Sequence, residues 1–334
     1  MPTIRGLNID PPLLNSSCPW ASDFDQLKEL YDCKYTGAVT TRTATLDGFD
    51  EDPGTHKVAF ALGQTASLNS YGYSPHPLSK YLQWIETLYK NQNPDSKCKP
   101  IILSVAPTDA AQLGVIMTAI QGFRHSVLKT LPSQPVLAVE LNTSCPNIPN
   151  HPPPAYDMAT LTPLLQVLAS TFQADPTLVI GLKLAPFVYR DQMEGVVRTI
   201  AGLVDQEGRS PIAFLTSTNT LGGCVMFADQ VSQKTTSAST AGVDAAPSMA
   251  LPTTFGGLAG EPLHYLSLGN IMTLSSMLAS SPIPALHNVG IIGVGGVTTP
   301  AAYQRMRKAG AAAVACATAL GINGVTVFER LGAE

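Results

Sequence analysis

Short apolar runs recur along the chain. Each is bounded by turn residues, and each is followed by a stretch whose apolar positions fall three or four apart. The runs read as strands at 12–16, 38–42, 101–106, 136–142, 179–184, 212–217, 289–294 and 313–317. They lack strict alternation, as expected of strands covered on both faces of a parallel sheet. Helical patterns follow at 23–31, 78–91, 109–123, 160–173, 190–204, 265–279, 299–309 and 325–331. A strand and a helix repeated eight times predict an α/β fold, a (β/α)8 TIM barrel, as one domain over residues 1–334. An open doubly wound sheet is the alternative, but no GxGxxG opens the first helix.

Three stretches break the rhythm and are expected as insertions on the rim. Residues 47–77 are polar and loop-like, with room for short strands. Residues 143–157 are proline-rich. Residues 228–254 are rich in Ser, Thr and Ala and lie between a barrel strand and its helix. Because βα connections form the C-terminal face of such barrels, all three belong beside the catalytic end.

Composition narrows the class. The 334 residues suffice for one barrel, which needs about 250. Only 13% are charged, against about 25% in ordinary soluble proteins. The formal net charge of -4, with no basic stripe, offers no electrostatic hold on nucleic acid or acidic lipid. The six cysteines have neither metal-site nor CxxC spacing, and read as reduced thiols of a cytoplasmic protein. The first residues lack an apolar signal core. The longest small-apolar stretch, 309–320, falls short of the roughly 20 residues that span a bilayer.

The strand ends are where barrel chemistry is expected. They read Asn15-Ser16-Ser17, Thr41-Arg42, Asn142 to Asn147 with Cys145 at its centre, Lys183, Thr218-Asn219-Thr220, Gly295-Gly296 and Ala317-Thr318. This set is polar but holds few ionisable groups. It has no carboxylate pair for glycoside hydrolysis and no histidine cluster for a metal. Glu140 is the nearest acid, and it lies inside a strand. Gly295-Gly296 and Ala317-Thr318 follow the last two strands, where backbone N–H groups commonly hold a phosphate. A third glycine turn, Gly256-Gly257, precedes the helix at 265–279.

With these pieces in view, the chain resembles the soluble, fumarate-type (class 1A) dihydroorotate dehydrogenases, as a divergent member. The likeness runs over nearly the whole length. It is carried by ELNTSCPNIP with PAYD (140–157), NSYG (69–72), IGLKLAPF (180–187), STNTLGG (217–223), FGG (255–257), IIGVGGV (291–297) and ATAL (317–320). The SCPN stretch is the specific one, since other FMN barrels share the glycine pieces. The resemblance implies FMN as cofactor, dihydroorotate as substrate, fumarate as electron acceptor and a homodimer. It implies that Cys145 is the general base, taking a proton from C5 while the C6 hydride passes to the flavin. It implies substrate contacts at Arg42, Asn69, Gly72, Asn142, Asn147, Asn219 and Thr220. FMN contacts are implied at Ser16, Ser17, Arg42, Asn142, Lys183, Gly256, Gly257, Gly295, Gly296, Ala317 and Thr318. An amide side chain both donates and accepts, which suits the N–H and C=O edges of a neutral pyrimidine. The loop 146–154 resembles an active-site flap.

The departures gather at the site. The usual TKSST reads TRTAT, so Arg42 stands where the family has lysine, and the two are not equivalent at a bidentate site. NSMGLPN reads NSYGYSP, which brings in Tyr71, Tyr73 and Pro75. NASG reads NSSC, which puts Cys18 in place of glycine. A lysine expected before the FGG turn is replaced by Pro252, Thr253 and Thr254. These changes keep a second reading open: an FMN oxidoreductase of the same fold that acts on another dihydro or unsaturated ring. A third, a flavin-binding scaffold without turnover, conflicts with the retention of Cys145 and Lys183.

Overall fold

The computed structural model describes residues 4–92, 98–131, 135–148, 152–232 and 248–332. In chain order the strands are β1 (Leu13–Asn15), β2 (Val39–Thr40), β3 (Val58–Phe60), β4 (Ala66–Asn69), β5 (Ile101–Val105), β6 (Leu137–Asn142), β7 (Val179–Leu184), β8 (Ile212–Ser217), β9 (Leu221–Val225), β10 (Phe255–Gly260), β11 (Gly290–Val294) and β12 (Ala313–Cys316). The helices are α1 (Phe24–Asp32), α2 (Leu78–Lys90), α3 (Ala110–Ser126), α4 (Met158–Ala174), α5 (Arg190–Ala201), α6 (His264–Ala279), α7 (Pro300–Lys308), α8 (Thr318–Asn323) and α9 (Thr326–Gly332).

Eight strands pair in the order β1-β12-β11-β8-β7-β6-β5-β2, all parallel. A parallel bridge between Leu14 and Ala38 joins β1 to β2 and closes the ring. The predicted (β/α)8 barrel is therefore the observed one. The helices start where local chemistry dictates. Asp23, Asp109, Asp157 and Thr299 each accept a first-turn N–H at the starts of α1, α3, α4 and α7. Such caps satisfy donors that would otherwise lack partners.

Two-residue periodicity then sorts the strand side chains. On β6, Leu137, Val139 and Leu141 join the shell between barrel and helices, while Ala138 joins the smaller core inside the ring. Glu140 and Asn142 continue the inward row. Glu140, 2% exposed, accepts hydrogen bonds from Ser104 Oγ at 3.1 Å and Thr216 Oγ1 at 2.6 Å. It thus serves inside the ring, below the cleft.

The second sheet is the larger addition to the expected plan. It is antiparallel, in the order β3-β4-β10-β9, around a small core that includes Ala59, Leu68 and Leu251. Ser67 and Asn69 of β4 and Ala259 of β10 face the cleft at the strand ends, so this sheet walls one side of it. Short strands were expected in 47–77. The strand at 255–260 was not, because FGGLAG has the glycine content of a turn. Pairing with β4 over Gly257–Gly260 and with β9 from Phe255 overrides that weak local preference. In the 228–254 insertion, positions 233–247 lie outside the described residues; among those described, Phe227 bridges Met249. Residues 149–151 of the proline-rich loop also lie outside them. Among the described residues, no helix is long and apolar enough to cross a membrane.

Candidate active site

One continuous cleft opens at the C-terminal ends of the barrel strands, with two chemically different ends. The first encloses about 470 Å³ and is lined mainly by backbone and small side chains: Gly260, Gly295, Gly296, Thr298, Ala317 and Thr318 among them. Close packing makes this end glycine-dependent. Gly295 has φ +126°, and a Cβ there would lie 2.0 Å from Ser267 Oγ. His264 Nδ1 bonds the Gly295 carbonyl at 2.9 Å, and Arg305 Nε donates to His264 Nε2 at 3.0 Å, which fixes the turn from behind. Among the described residues, no carboxylate lines this end.

The second end encloses about 670 Å³ and is lined by side chains: Arg42, Asn69, Asn142, Cys145, Asn147 and Asn219, with Trp20 and Tyr71 as aromatic wall. Ser17, Lys183, Asn219, Thr220, Ala317 and Thr318 border both ends. The parallel register explains the meeting. Asn142 pairs with Lys183 at the tops of β6 and β7, and Lys183 with Thr216 of β8. The Lys183 ammonium, on a residue 5% exposed, crosses the ring to donate to Ser16 Oγ and the Ser17 carbonyl, both at 3.2 Å.

The asparagines hold one another. Asn142 Nδ2 donates to Thr43 Oγ1 at 3.0 Å, and its Oδ1 accepts from Asn219 Nδ2 at 3.2 Å. Asn147 Nδ2 donates to Asn69 Oδ1 at 3.1 Å and to the Tyr71 carbonyl at 2.9 Å. Asn69 Nδ2 in turn donates to the Gly257 carbonyl at 3.1 Å within the second sheet, so the Asn147–Asn69 contact ties the SCPN loop to that sheet. Such a network fixes the orientation of each amide before any ligand arrives. Cys145 sits among them with part of its surface open to the cleft. Burial pushes its thiol above the ordinary range. The Asn147 N–H and the positive charges of Lys183 and Arg42 pull the other way. Burial also pushes up the nearby Tyr73 phenol, with a further rise from Cys145.

Arg42 is not presented as an open clamp. Its Nη2 pairs with Glu51 Oε1, and its Nη1 reaches Glu51 Oε2 at 3.3 Å and Ser22 Oγ at 3.2 Å. The Tyr71 ring covers the guanidinium, 5.2 Å from carbon to ring centre. Tyr71 thus has a partner that the sequence did not reveal.

The chain matches the dihydroorotate dehydrogenase family over residues 2–334. It belongs to that family. Family members are oxidoreductases acting on CH–CH bonds. Among its relatives is dihydroorotate dehydrogenase A (fumarate) of Lactococcus lactis subsp. lactis, 26% identical over 326 residues, which cover 96% of this chain and 88% of that protein. A Streptococcus uberis protein provisionally named for the same activity is 27% identical over 99% of this chain and 90% of its own length. A Streptococcus equi protein named in the same way is 30% identical over 89% of this chain and 80% of its own.

The first end of this dihydroorotate dehydrogenase family cleft has the lining that a flavin's phosphate arm needs. A cradle free of acids among the described residues, with glycines at positive φ that allow close backbone approach, suits a phosphate. Lys183, at the junction, suits the electron-rich edge of a flavin ring. Of the expected contacts, Ser16, Ser17, Lys183, Gly295, Gly296, Ala317 and Thr318 border this end. Arg42 and Asn142 border the other. Gly256 and Gly257 border neither, because they lie within β10; a Cβ on Gly257 would meet Thr220 Oγ1 at 2.2 Å, and one on Gly256 the Asn69 carbonyl at 2.6 Å. Their place in the cradle is taken by Gly260, at the end of the same strand. All seven expected substrate residues and Cys145 border the second end. Sequence reasoning missed Trp20, Thr43, Gly260 and Glu51. Glu51 had one signal, an acid nine residues from Arg42 in a chain poor in charge. Among the described residues, no three His, Cys, Asp or Glu side chains gather as a metal site.

Proposed function

We propose that this chain is an FMN-dependent dehydrogenase that turns the C5–C6 single bond of a dihydropyrimidine-type ring into a double bond. Dihydroorotate to orotate, in de novo pyrimidine synthesis, is the reference reaction. The observation that carries the reading is a thiol, Cys145, at one end of a cleft whose other end is a glycine-rich cradle. When bound, FMN would accept the hydride leaving C6. The protein's part is then proton chemistry and placement. Cys145 as thiolate takes the C5 proton onto Sγ and becomes the neutral thiol, and the electron pair of the broken C–H bond forms the new double bond. The Asn142–Asn219 and Asn147–Asn69 pairs offer amide edges to the N–H and C=O groups of the ring. Preset amides avoid reorganisation during reaction. Lys183 would favour negative charge on the flavin's pyrimidine edge.

Fumarate as acceptor, carried by the relatives' names, belongs to the same proposal, as do the homodimer and the cytoplasmic setting. The experiment is direct. Purified protein should be yellow, dihydroorotate added anaerobically should bleach it, and fumarate should restore the colour. A protein that cannot be loaded with FMN would overturn the reading. A specific observation favours a second reading, in which the ring differs from dihydroorotate: the Arg42 guanidinium already holds a carboxylate, that of Glu51.

A further inference from the structure

We infer that Glu51 makes the second end of the cleft selective for an uncharged dihydro ring over one bearing a carboxylate. This rests on the redox reading above and adds the substrate class to it. Among the described residues, two cations border this end, Arg42 and Lys183. Lys183 stands at the junction with the cofactor end, where it donates to Ser16 Oγ and the Ser17 carbonyl and is assigned above to the flavin's pyrimidine edge. Arg42 is therefore the cation left to meet a ring carboxylate, and the Glu51 carboxylate already occupies its two terminal nitrogens. The pair is well enclosed: Arg42 is 6% exposed and Glu51 20% exposed at the side chain.

Enclosure sets the energetics. A salt bridge shielded from water is screened weakly, so displacing Glu51 would leave a half-buried anion without its partner. Binding beside Glu51 would set two carboxylates on one guanidinium, and like charges at close range disfavour the wrong ligand. The Tyr71 ring closes one face of the same guanidinium. The amides of Asn69, Asn142, Asn147 and Asn219 carry no charge, and they suit a neutral ring as well as an acid. What the arrangement rejects is the carboxylate alone.

The test compares dihydroorotate with its methyl ester and with 5,6-dihydrouracil on the FMN-loaded protein. Wild type should be reduced at least tenfold more efficiently by the neutral rings than by the acid. It should also bind orotate methyl ester at least tenfold more tightly than orotate, read from the change in the flavin's visible spectrum. Glu51→Gln should shift both ratios at least tenfold toward the acid. A wild type that prefers the acid, or a Glu51→Gln protein with unchanged ratios, overturns the inference. Binding is read without turnover. A protein that favours the ester in binding yet never bleaches therefore sustains the selectivity and overturns the redox reading instead.

Discussion

The two ends of the cleft are built from different materials. At the cradle, the working surface is backbone, and side chains matter mainly by being small: Gly260, Gly295, Gly296 and Ala317 leave room. At the ring end, the surface is side chain, locked amide to amide and arginine to glutamate. Backbone surfaces tolerate sequence drift as long as no Cβ intrudes. Side-chain surfaces change their chemistry with a single replacement. That difference accounts for where this chain departs from its resemblance. Three of the residues that differ, Arg42, Tyr71 and Cys18, border the ring end, and the cradle glycines Gly295 and Gly296 persist.

The comparison can be broken at several points, and the largest effect should come from Cys145. Cys145→Ala should keep its yellow colour and slow anaerobic bleaching by about 10³-fold, as for loss of a general base. Unchanged bleaching would remove the thiol from the reaction. Cys145→Ser should recover some rate only at high pH. In wild type the base acts deprotonated, and burial raises its pKa. Bleaching should therefore still be accelerating with pH above about 8.5, the ordinary thiol value. A pH profile already level there would contradict the environment described.

Lys183→Met should act at the junction and slow bleaching by about 10²-fold, the usual size for loss of a preset electrostatic contact. It should change the potential of the bound flavin as well, which a purely structural role would leave alone. Next comes the cradle. Gly295→Ala drives a Cβ into Ser267 Oγ, and overpacking of this kind costs about 1–3 kcal/mol. FMN retention should weaken by roughly tenfold or more, by the usual relation of about 1.4 kcal/mol to each tenfold. Titration of stripped protein with FMN measures this, and full affinity would place the phosphate elsewhere. The smallest effect belongs to Gly72→Ala. Its Cβ would sit 2.3 Å from the Phe49 ring, which can move aside. It should weaken ring binding by less than about tenfold and leave FMN affinity intact, in keeping with a modest repacking cost.

Much of this was legible in the chain. The eight barrel strands fall within a residue or two of the predicted runs, because strands covered on both faces must be apolar almost throughout. Cys145, Asn142, Asn147, Asn219 and Lys183 were legible as strand-end residues, and Asn69 only through the resemblance. The second sheet was partly hidden: β9 and β10 carry five glycines in LGGCV and FGGLAG, and local preference there points to turns. The same disguise put Gly256 and Gly257 in the cradle, where Gly260 stands instead. Helix α8 follows β12 directly and was read as part of its loop.

By itself, the sequence determined the order of elements, since burial on two faces and helical periodicity are written in residue order; closure into a ring is seen in the bridge between Leu14 and Ala38. It also determined which functional groups reach the strand tops, because alternation along a strand is local. Only the tertiary structure decided what those groups face. Arg42 is a cation in any reading of the chain, but its partner comes from a loop whose path no periodicity specifies. Charge is a property of a residue; its availability depends on the neighbours that folding brings to it.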